Sequence, residues 1–533
     1  MLASVMIRLR VALSTFVLLV TATSAHALAV LNRGNGSEAK SLDPAFVNTV
    51  AESNILGDLL TGLTTLDAAA HPIPGVAERW DVAQDGKTWT FHLRKSLWSD
   101  GKPVTAQDFV FAWQRELDPK TAAPYAYNLW VLKNARAIST GKMPPPSLGV
   151  RAADDSTLVV QLEHPASYLP ELLTHDTAYP VPRHVVLAKG NAWARVENFI
   201  GNGAYVPAEW VLNDHLALGK NPHFYDAAHV RIDRVNYFPA EDSQSALNRF
   251  RAHELDTQSP IPSTSIDWLR KNMPNALRTA PFLATSYFAL NLSKPPLNDV
   301  RVRKALNLAF DREAITDKVL RLGDRPAYGI VPPGIANFPG GAAMDFKATP
   351  MPARIALAQA LMQQAGYGAG NRLHLVLETT HDPDNRRVAA AMQAMLRAVF
   401  VDLEIQQVDL QIHYRNMQIG NYEIASAVWI ADFNDASNFL DLLRGDSGNN
   451  YPRYKNRAYD AAMDLAQQEP DAAKRGQLLL SAEKIALKDY PWLPWRFRVT
   501  QDLVQPYVKG WIPNARDYNR TRWLWVEPRP SAH

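Results

Sequence analysis

Three short stretches of the chain carry residue types that could do chemistry. Gly445-Asp446-Ser447-Gly448 has the lettering found around the nucleophilic serine of chymotrypsin-like proteases. Acyl transfer needs more than a tetrapeptide: a histidine base, an orienting acid and donors for the oxyanion. Asn449 and Asn450 follow where glycine continues that motif, and the all-β patterning is missing, so a polar loop is the better reading. The 14 histidines form no HExxH pair and no His-x-His. His374 and His381 flank what reads as a strand end and loop, which suits surface or cleft histidines better than metal ligands. Gly201-Asn202-Gly203 is too short for a nucleotide fingerprint and reads as a turn before the strand-like Ala204-Tyr205-Val206.

The stretch Trp429-Ile430-Ala431-Asp432-Phe433-Asn434-Asp435 stands apart. A strand-like apolar run over 424–431 delivers two carboxylates and an amide into a loop behind a tryptophan. An acid at a strand end beside an aromatic can receive a cationic group, because a charge-assisted hydrogen bond strengthens where water is excluded. Equally, Asp432 or a neighbour could cap a helix starting near Asn438. Residue chemistry leaves both readings open. A glycosidase would need a second carboxyl group facing the first across a cleft.

The elements that must position these residues alternate between strand and helix throughout. Residues 89–94 alternate apolar and polar side chains and read as a half-buried strand, closed by the turn Ser99-Asp100-Gly101. Thr105 precedes Ala106-Gln107-Asp108 as an N-cap, predicting a helix over 106–115. Strands are expected at 158–162 and 231–239. Helices are expected at 352–365, with Pro352 in its first turn and Gly366 just beyond its end, at 385–399 and at 478–487. The fold class that follows is mixed α/β with several lobes.

Composition narrows the setting. Residues 1–27 begin with Arg8 and Arg10, continue through an apolar core over 11–20 and end in Ala25-His26-Ala27. That is the layout of a cleavable secretory signal peptide, and its apolar core is far shorter than the ~20 residues that span a bilayer. The chain has no cysteine, so a lipid-anchored N-terminus, disulfides and thiolate metal sites are not expected. A protein released freely into a bacterial periplasm fits these features. The net charge is +3, of which the leader's two arginines supply two. No global electrostatic case for nucleic acid or an anionic membrane follows. The 37 prolines are scattered, not gathered into a linker, which suits a compact body with many turns. The 14 Trp and 18 Tyr supply large amphipathic surfaces for cores or clefts.

From Asn35 onward the chain resembles the oligopeptide-binding proteins of ATP-driven (ABC) importers, the large class of periplasmic solute-binding proteins. The resemblance is carried by Gly36-Ser37-Glu38, Ser41-Leu42-Asp43-Pro44, Pro74-Gly75-Val76-Ala77-Glu78-Arg79-Trp80 and the run from Trp89 to Lys95. It continues through Trp98 to Phe109, Gly201 to Tyr205, Pro295 to Arg303 and Ala327-Tyr328-Gly329-Ile330-Val331-Pro332-Pro333. It implies a periplasmic-binding-protein-like α/β fold in which two main lobes close about a hinge, with a third lobe inserted. Lobe I would comprise 28–60, 185–283 and 500–533, lobe II the insertion 61–184, and lobe III 284–499. The implied ligand is a peptide held as an added strand, with side chains in roomy hydrated pockets.

The resemblance also implies roles for particular residues. Asp432 takes the position that pairs with the peptide α-amino group, and Trp429 lines a side-chain pocket on the same strand. Val50 matches a main-chain contact, Tyr125 a cleft aromatic and Tyr287, more loosely, another aromatic. Members of this family neutralise the peptide carboxylate with arginines and a histidine. Here Ser426 and Met417 stand at the arginine positions and Asn385 near the histidine, leaving Arg415, Arg386, Arg387 and His381 as nearby substitutes. The implied protein is a monomeric receptor, not an enzyme, that needs no cofactor or metal and hands its ligand to a membrane permease. A binder of murein peptides or another small solute is the nearest alternative. An exported hydrolase using Ser447 or a carboxylate pair is the alternative from a different class.

Overall fold

The computed structural model describes residues 28–529; the leader lies outside them. Its spine is a mixed sheet of ten strands in one path, with an eleventh, Arg325–Pro326, paired off that path. One half consists of Val401–Val408, Leu373–Thr380 and Ile424–Ile430; the other consists of Thr257–Ser259, Val30–Asn35, Arg234–Phe238, His215–Lys220 and Tyr205–Val211. Between the halves run two long antiparallel strands, Leu277–Leu290 and Trp492–Val504, of 14 and 13 residues. Their register slips twice, between Pro281 and Thr285 and between Ser286 and Tyr287. Pro281 has no N–H to give to the ladder, and such a bulge bends and over-twists a sheet. The sheet therefore changes direction where it passes from one half to the other.

Two hydrophobic cores lie on either side of this crossing. One gathers Phe250, Leu290, Phe310, Leu377, Met392 and Trp492 with the later part of the chain. The other gathers Leu31, Leu56, Phe91, Trp113, Trp193 and Val235 with the earlier part. Phe433 is an exception, because it belongs to the second core although its sequence neighbours Ala431 and Ala436 belong to the first.

Local signals account for most elements. Thr88–Leu93 buries Trp89, Phe91 and Leu93 and turns the intervening residues outward, as alternation dictates. It joins Ala77–Val82, Thr157–Gln161 and Val150–Asp154 in a separate antiparallel sheet. Helix Ala106–Leu117 starts where Thr105 predicts, its first turn closed by Asp108 accepting the Thr105 N–H at 2.8 Å. Helices Met351–Gln364 and Pro383–Arg397 appear within a residue or two of expectation, and Gly366, at φ +95°, takes the left-handed conformation just past the first. The helix expected over 478–487 runs longer, Ala472–Asp489, because Asp471 caps it by accepting the Lys474 N–H at 2.8 Å. Gly201-Asn202-Gly203 is a structural clasp. Asn202 bonds both the N–H and the C=O of Thr61 at 2.9 Å, and a Cβ on Gly203 would fall 2.4 Å from the Leu59 carbonyl carbon.

Candidate ligand site

The strand Ile424–Ile430 pairs with Leu277–Leu290 over its whole length, from Leu290↔Ile424 to Ala284↔Ile430. On its other side it pairs with Leu373–Thr380 only at Leu377↔Ile424 and Glu378↔Ala425. From Ser426 onward that edge has no strand neighbour among the described residues. His413 fixes the point of divergence, bonding Glu378 at 2.8 Å and the Ser426 carbonyl at 2.7 Å. An open edge carries backbone donors and acceptors that an extended chain can complete. It faces a cavity of about 900 Å³ lined by Ser426, Ala427, Val428, Thr380, Ser286 and Phe288, among others.

Past this edge the chain reaches Asp432, 8 % exposed. Asn438 organises the turn: its Oδ1 accepts the Trp429 indole N–H at 2.9 Å and the Asp432 N–H at 3.1 Å, and its amide donates to Asp432 Oδ2 at 3.3 Å. Arg516 holds the backbone from behind, donating to the Asp432 carbonyl at 2.8 Å, to Thr174 at 3.0 Å and to Glu171 at 3.2 Å. Capping falls to Asp435, whose Oδ1 takes the Ser437 N–H at 2.9 Å while Arg475 pairs with the same carboxylate.

Among the described residues no arginine or lysine pairs with the buried Asp432 carboxylate, Arg516 holding the backbone carbonyl instead. Burial raises the carboxylate pKa to about 7, opposed only in part by the Asn438 hydrogen bond and the Arg516 charge. His175 Nε2 stands 3.9 Å from Oδ1, but burial and the charges of Arg516 and Arg520 drive its pKa down to about 3. The imidazole is therefore neutral at ordinary pH and is no counter-ion. Tyr125 stacks on His175 at 5.7 Å and packs against Tyr127 at 5.4 Å with the rings tilted by 32°, and burial together with the Asp432 charge raises the phenol pKa of both tyrosines. The result is a carboxylate walled by aromatics, a surrounding suited to an ammonium group.

Val50 opens helix Val50–Leu59, is 47 % exposed and lines a second cavity of about 230 Å³ with Arg33, Asp502 and Asp517. Both cavities share Ser259, Pro260 and Asp517, so the two form one cleft. His381 lines the larger cavity, 3.7 Å from Asp409. Arg415 is exposed on helix Leu410–Ile419 and does not line it. Tyr287 is 1 % exposed and stacks on Trp492 at 3.6 Å within the core, on the strand face opposite Ser286 and Phe288. His175, Arg516 and Arg498 escaped the sequence reading because they come from segments far from the Asp432 motif, whereas Asn438, six residues from Asp432, entered it only as a helix start.

Ser447 sits in a turn where its hydroxyl accepts the Asn449 N–H at 3.3 Å, and no histidine bonds to it among the described residues. His374 pairs with Glu404 at 3.4 Å, on the strand that ends before His381. Among the described residues no group of three or more His, Asp and Glu is placed to hold a metal ion, and no helix is long and apolar enough to cross a membrane.

Comparison with known proteins bears on this geometry. A family model described as bacterial extracellular solute-binding proteins, family 5 middle, matches residues 71–451. The chain is 38 % identical over 503 residues to the probable deoxycholate-binding periplasmic protein YgiS of Escherichia coli, covering 93 % of this chain and 94 % of that one. It is 37 % identical over 505 residues to the periplasmic oligopeptide-binding protein OppA of the same organism, covering 93 % and 92 %. The crystal structure of Haemophilus influenzae OppA in complex with RPPGFSPFR superimposes with a TM-score of 0.85 at 36 % identity, covering 94 % of this chain and 99 % of that one. The architecture is therefore that of a periplasmic binding protein, and the chain belongs to the family 5 bacterial extracellular solute-binding proteins.

Proposed function

We propose that this protein is a periplasmic receptor that captures short peptides and delivers them to the membrane permease of an ABC importer. One observation carries the reading: an open strand edge leads to a buried carboxylate that, among the described residues, has no cation paired with it. A peptide laid along Ser426–Ile430 completes the edge with its main chain, and its α-ammonium supplies the charge that Asp432 lacks. Recognition through backbone groups leaves side-chain identity largely free. Trp429, Tyr125 and Val50 then form walls of the side-chain pockets. The lobes are assigned as 28–60 with 185–283 and 500–533, 61–184, and 284–499, the long strands serving as the hinge. Export through the 1–27 leader completes the reading. The names of the relatives support it, since OppA is a peptide binder of the periplasm.

Native mass spectrometry of the purified protein, followed by release of whatever it carries, tests this reading. A mixture of short peptides is expected. A single amphipathic acid such as a bile acid, the ligand class in the name of YgiS, would overturn it. Intact recovery of added peptides after incubation is also expected; their cleavage would favour a hydrolase.

A further inference from the structure

We propose that Arg498 anchors the ligand's carboxylate in the larger cavity. This assignment rests on the receptor reading above and adds the opposite pole to Asp432. Four basic residues line that cavity: His381, His413, Arg496 and Arg498. Three already have acidic partners. Arg496 donates to Asp324 at 2.6 Å and to Ser286 at 3.2 Å. His413 holds Glu378 at 2.8 Å, and His381 faces Asp409 at 3.7 Å. Arg498 alone has no carboxylate within 4.0 Å and no hydrogen-bond partner among the described residues.

The acids around Arg498 are engaged elsewhere. Asp324 also takes the Val499 N–H at 3.1 Å. Asp384 accepts from Arg387 at 2.7 Å and from Ser263 at 2.5 Å. Asp382 caps helix Pro383–Arg397 by accepting the Asn385 N–H at 2.8 Å. Asp517, which lines both cavities, turns its carboxyl onto that of Asp502. Asp502 Oδ2 is buried with no N–H or other O–H donor, a contact that is tolerable when one carboxyl of the pair keeps its proton. Burial pushes Asp502 up to about 6, and burial with the Asp502 charge raises Asp517 well above the usual carboxylate range. Two carboxyls in contact disfavour a second negative charge, and Arg33 also acts on the pair, so its acids turn toward each other and not onto Arg498.

Arg498 itself is hemmed in by protein. Burial and the neighbouring Arg496 charge lower its pKa to about 10, which still leaves a full cation at neutral pH. Arg496 and Arg498 alternate along one strand, so both point to the cavity face. A planar guanidinium there can take a carboxylate through two parallel N–H bonds. The carboxylate could be the peptide C-terminus or an acidic side chain; the chemistry at Arg498 is the same, and the test separates them.

Calorimetry on the full protein compares wild type with Arg498→Gln and Arg498→Lys, using one peptide sequence in three forms. The forms are the free acid, the C-terminal amide ending in Gln and the C-terminal amide ending in Glu. Wild type is expected to bind a carboxylate-bearing form on the order of tenfold more tightly than the Gln amide. Arg498→Gln should bind all three alike at the level of the Gln amide, which also shows that it folds. Arg498→Lys should restore part of the preference. Preference for the free acid identifies the terminus as the source, and preference for the Glu amide identifies a side chain. Equal binding of all three forms by wild type, or a preference that survives Arg498→Gln, overturns the assignment while leaving the receptor reading intact. Failure of every form to bind wild type overturns the receptor reading, and the assignment falls with it.

Discussion

Asn438 holds Asp432 in place without neutralising it. The amide accepts the Asp432 N–H and the Trp429 indole N–H on one oxygen and returns a single 3.3 Å hydrogen bond to the carboxylate. A neutral dipole can orient a buried acid, but it cannot repay the loss of hydration that ionisation requires. An incoming ammonium can.

Replacing Asp432 should therefore separate binding from stability. Asp432→Asn is expected to weaken peptide binding by about 2–3 kcal/mol, since the ligand ammonium loses a desolvated charged partner. The folded pKa, about 7, lies above the ordinary 3.8, so the unliganded fold gains stability while this carboxyl is protonated. That gain is complete below about pH 3.8 and is lost as pH rises through 7. Unliganded Asp432→Asn should accordingly melt higher than wild type at pH 8 and differ little from it near pH 4, read by calorimetric scans at both pH values. Equal melting temperatures at pH 8 would contradict the uncompensated carboxylate.

The same group sets the acid limb of ligand affinity. Below pH 7 the ionised fraction of Asp432 falls about tenfold per pH unit, whereas a peptide α-ammonium stays protonated up to about pH 8. Peptide affinity should rise from pH 5 to 7 and level off between 7 and 8. An N-acetylated peptide, lacking the ammonium, should show no such rise in titrations across that range.

Arg516 ties segments far apart in the chain to the back of the site. Arg516→Ala leaves the Asp432 carbonyl and Glu171 without their donor in a buried setting. Loss of one partner from such a network costs about 3–5 kcal/mol, which denaturant unfolding monitored by tryptophan fluorescence would register. A loss of less than about 1 kcal/mol would show that water replaces the guanidinium.

One contact joins segments that the proposed lobes II and III would bring together. Tyr168 stacks on Phe433 at 5.1 Å with planes 8° apart, and Arg475 lies 4.8 Å from the Tyr168 ring. Tyr168→Ala touches none of the residues assigned to the ligand, yet should weaken binding by about 1–2 kcal/mol. The effect should appear as faster release in stopped-flow experiments and as a larger radius of gyration of the liganded protein by X-ray scattering.

Much of this was legible in the sequence wherever the signal is local. Thr105 with Asp108 marked one helix start, and alternation around Trp89 and Phe91 marked a strand face. The apolar run ending at Asp432 announced a carboxylate delivered by a strand. What stayed hidden depends on parity and convergence. Tyr287 and Ser286 are adjacent in the chain, but pleating sends one to the core and the other to the cavity. Only the register of a strand bulged at that point decides which faces which way. The neutral state of His175 comes from burial and then from Arg516 and Arg520, more than 300 positions away along the chain, a relation no local pattern contains. The reach of helix Ala472–Asp489 was legible in Asp471, although the apolar spacing marked only its later turns.

The unpaired edge from Ser426 to Ile430 has a consequence for solubility. Bare strand edges invite pairing with other copies of the same chain, a common route to aggregation. Here the edge faces a cavity of about 900 Å³, which a slender extended chain can enter more readily than a folded neighbour. Shape thus does for this edge what charged or proline-capped strands do on open sheets. A ligand laid along it would cover a stretch of sheet margin that otherwise stays adhesive, so cargo would also shield its carrier from self-association.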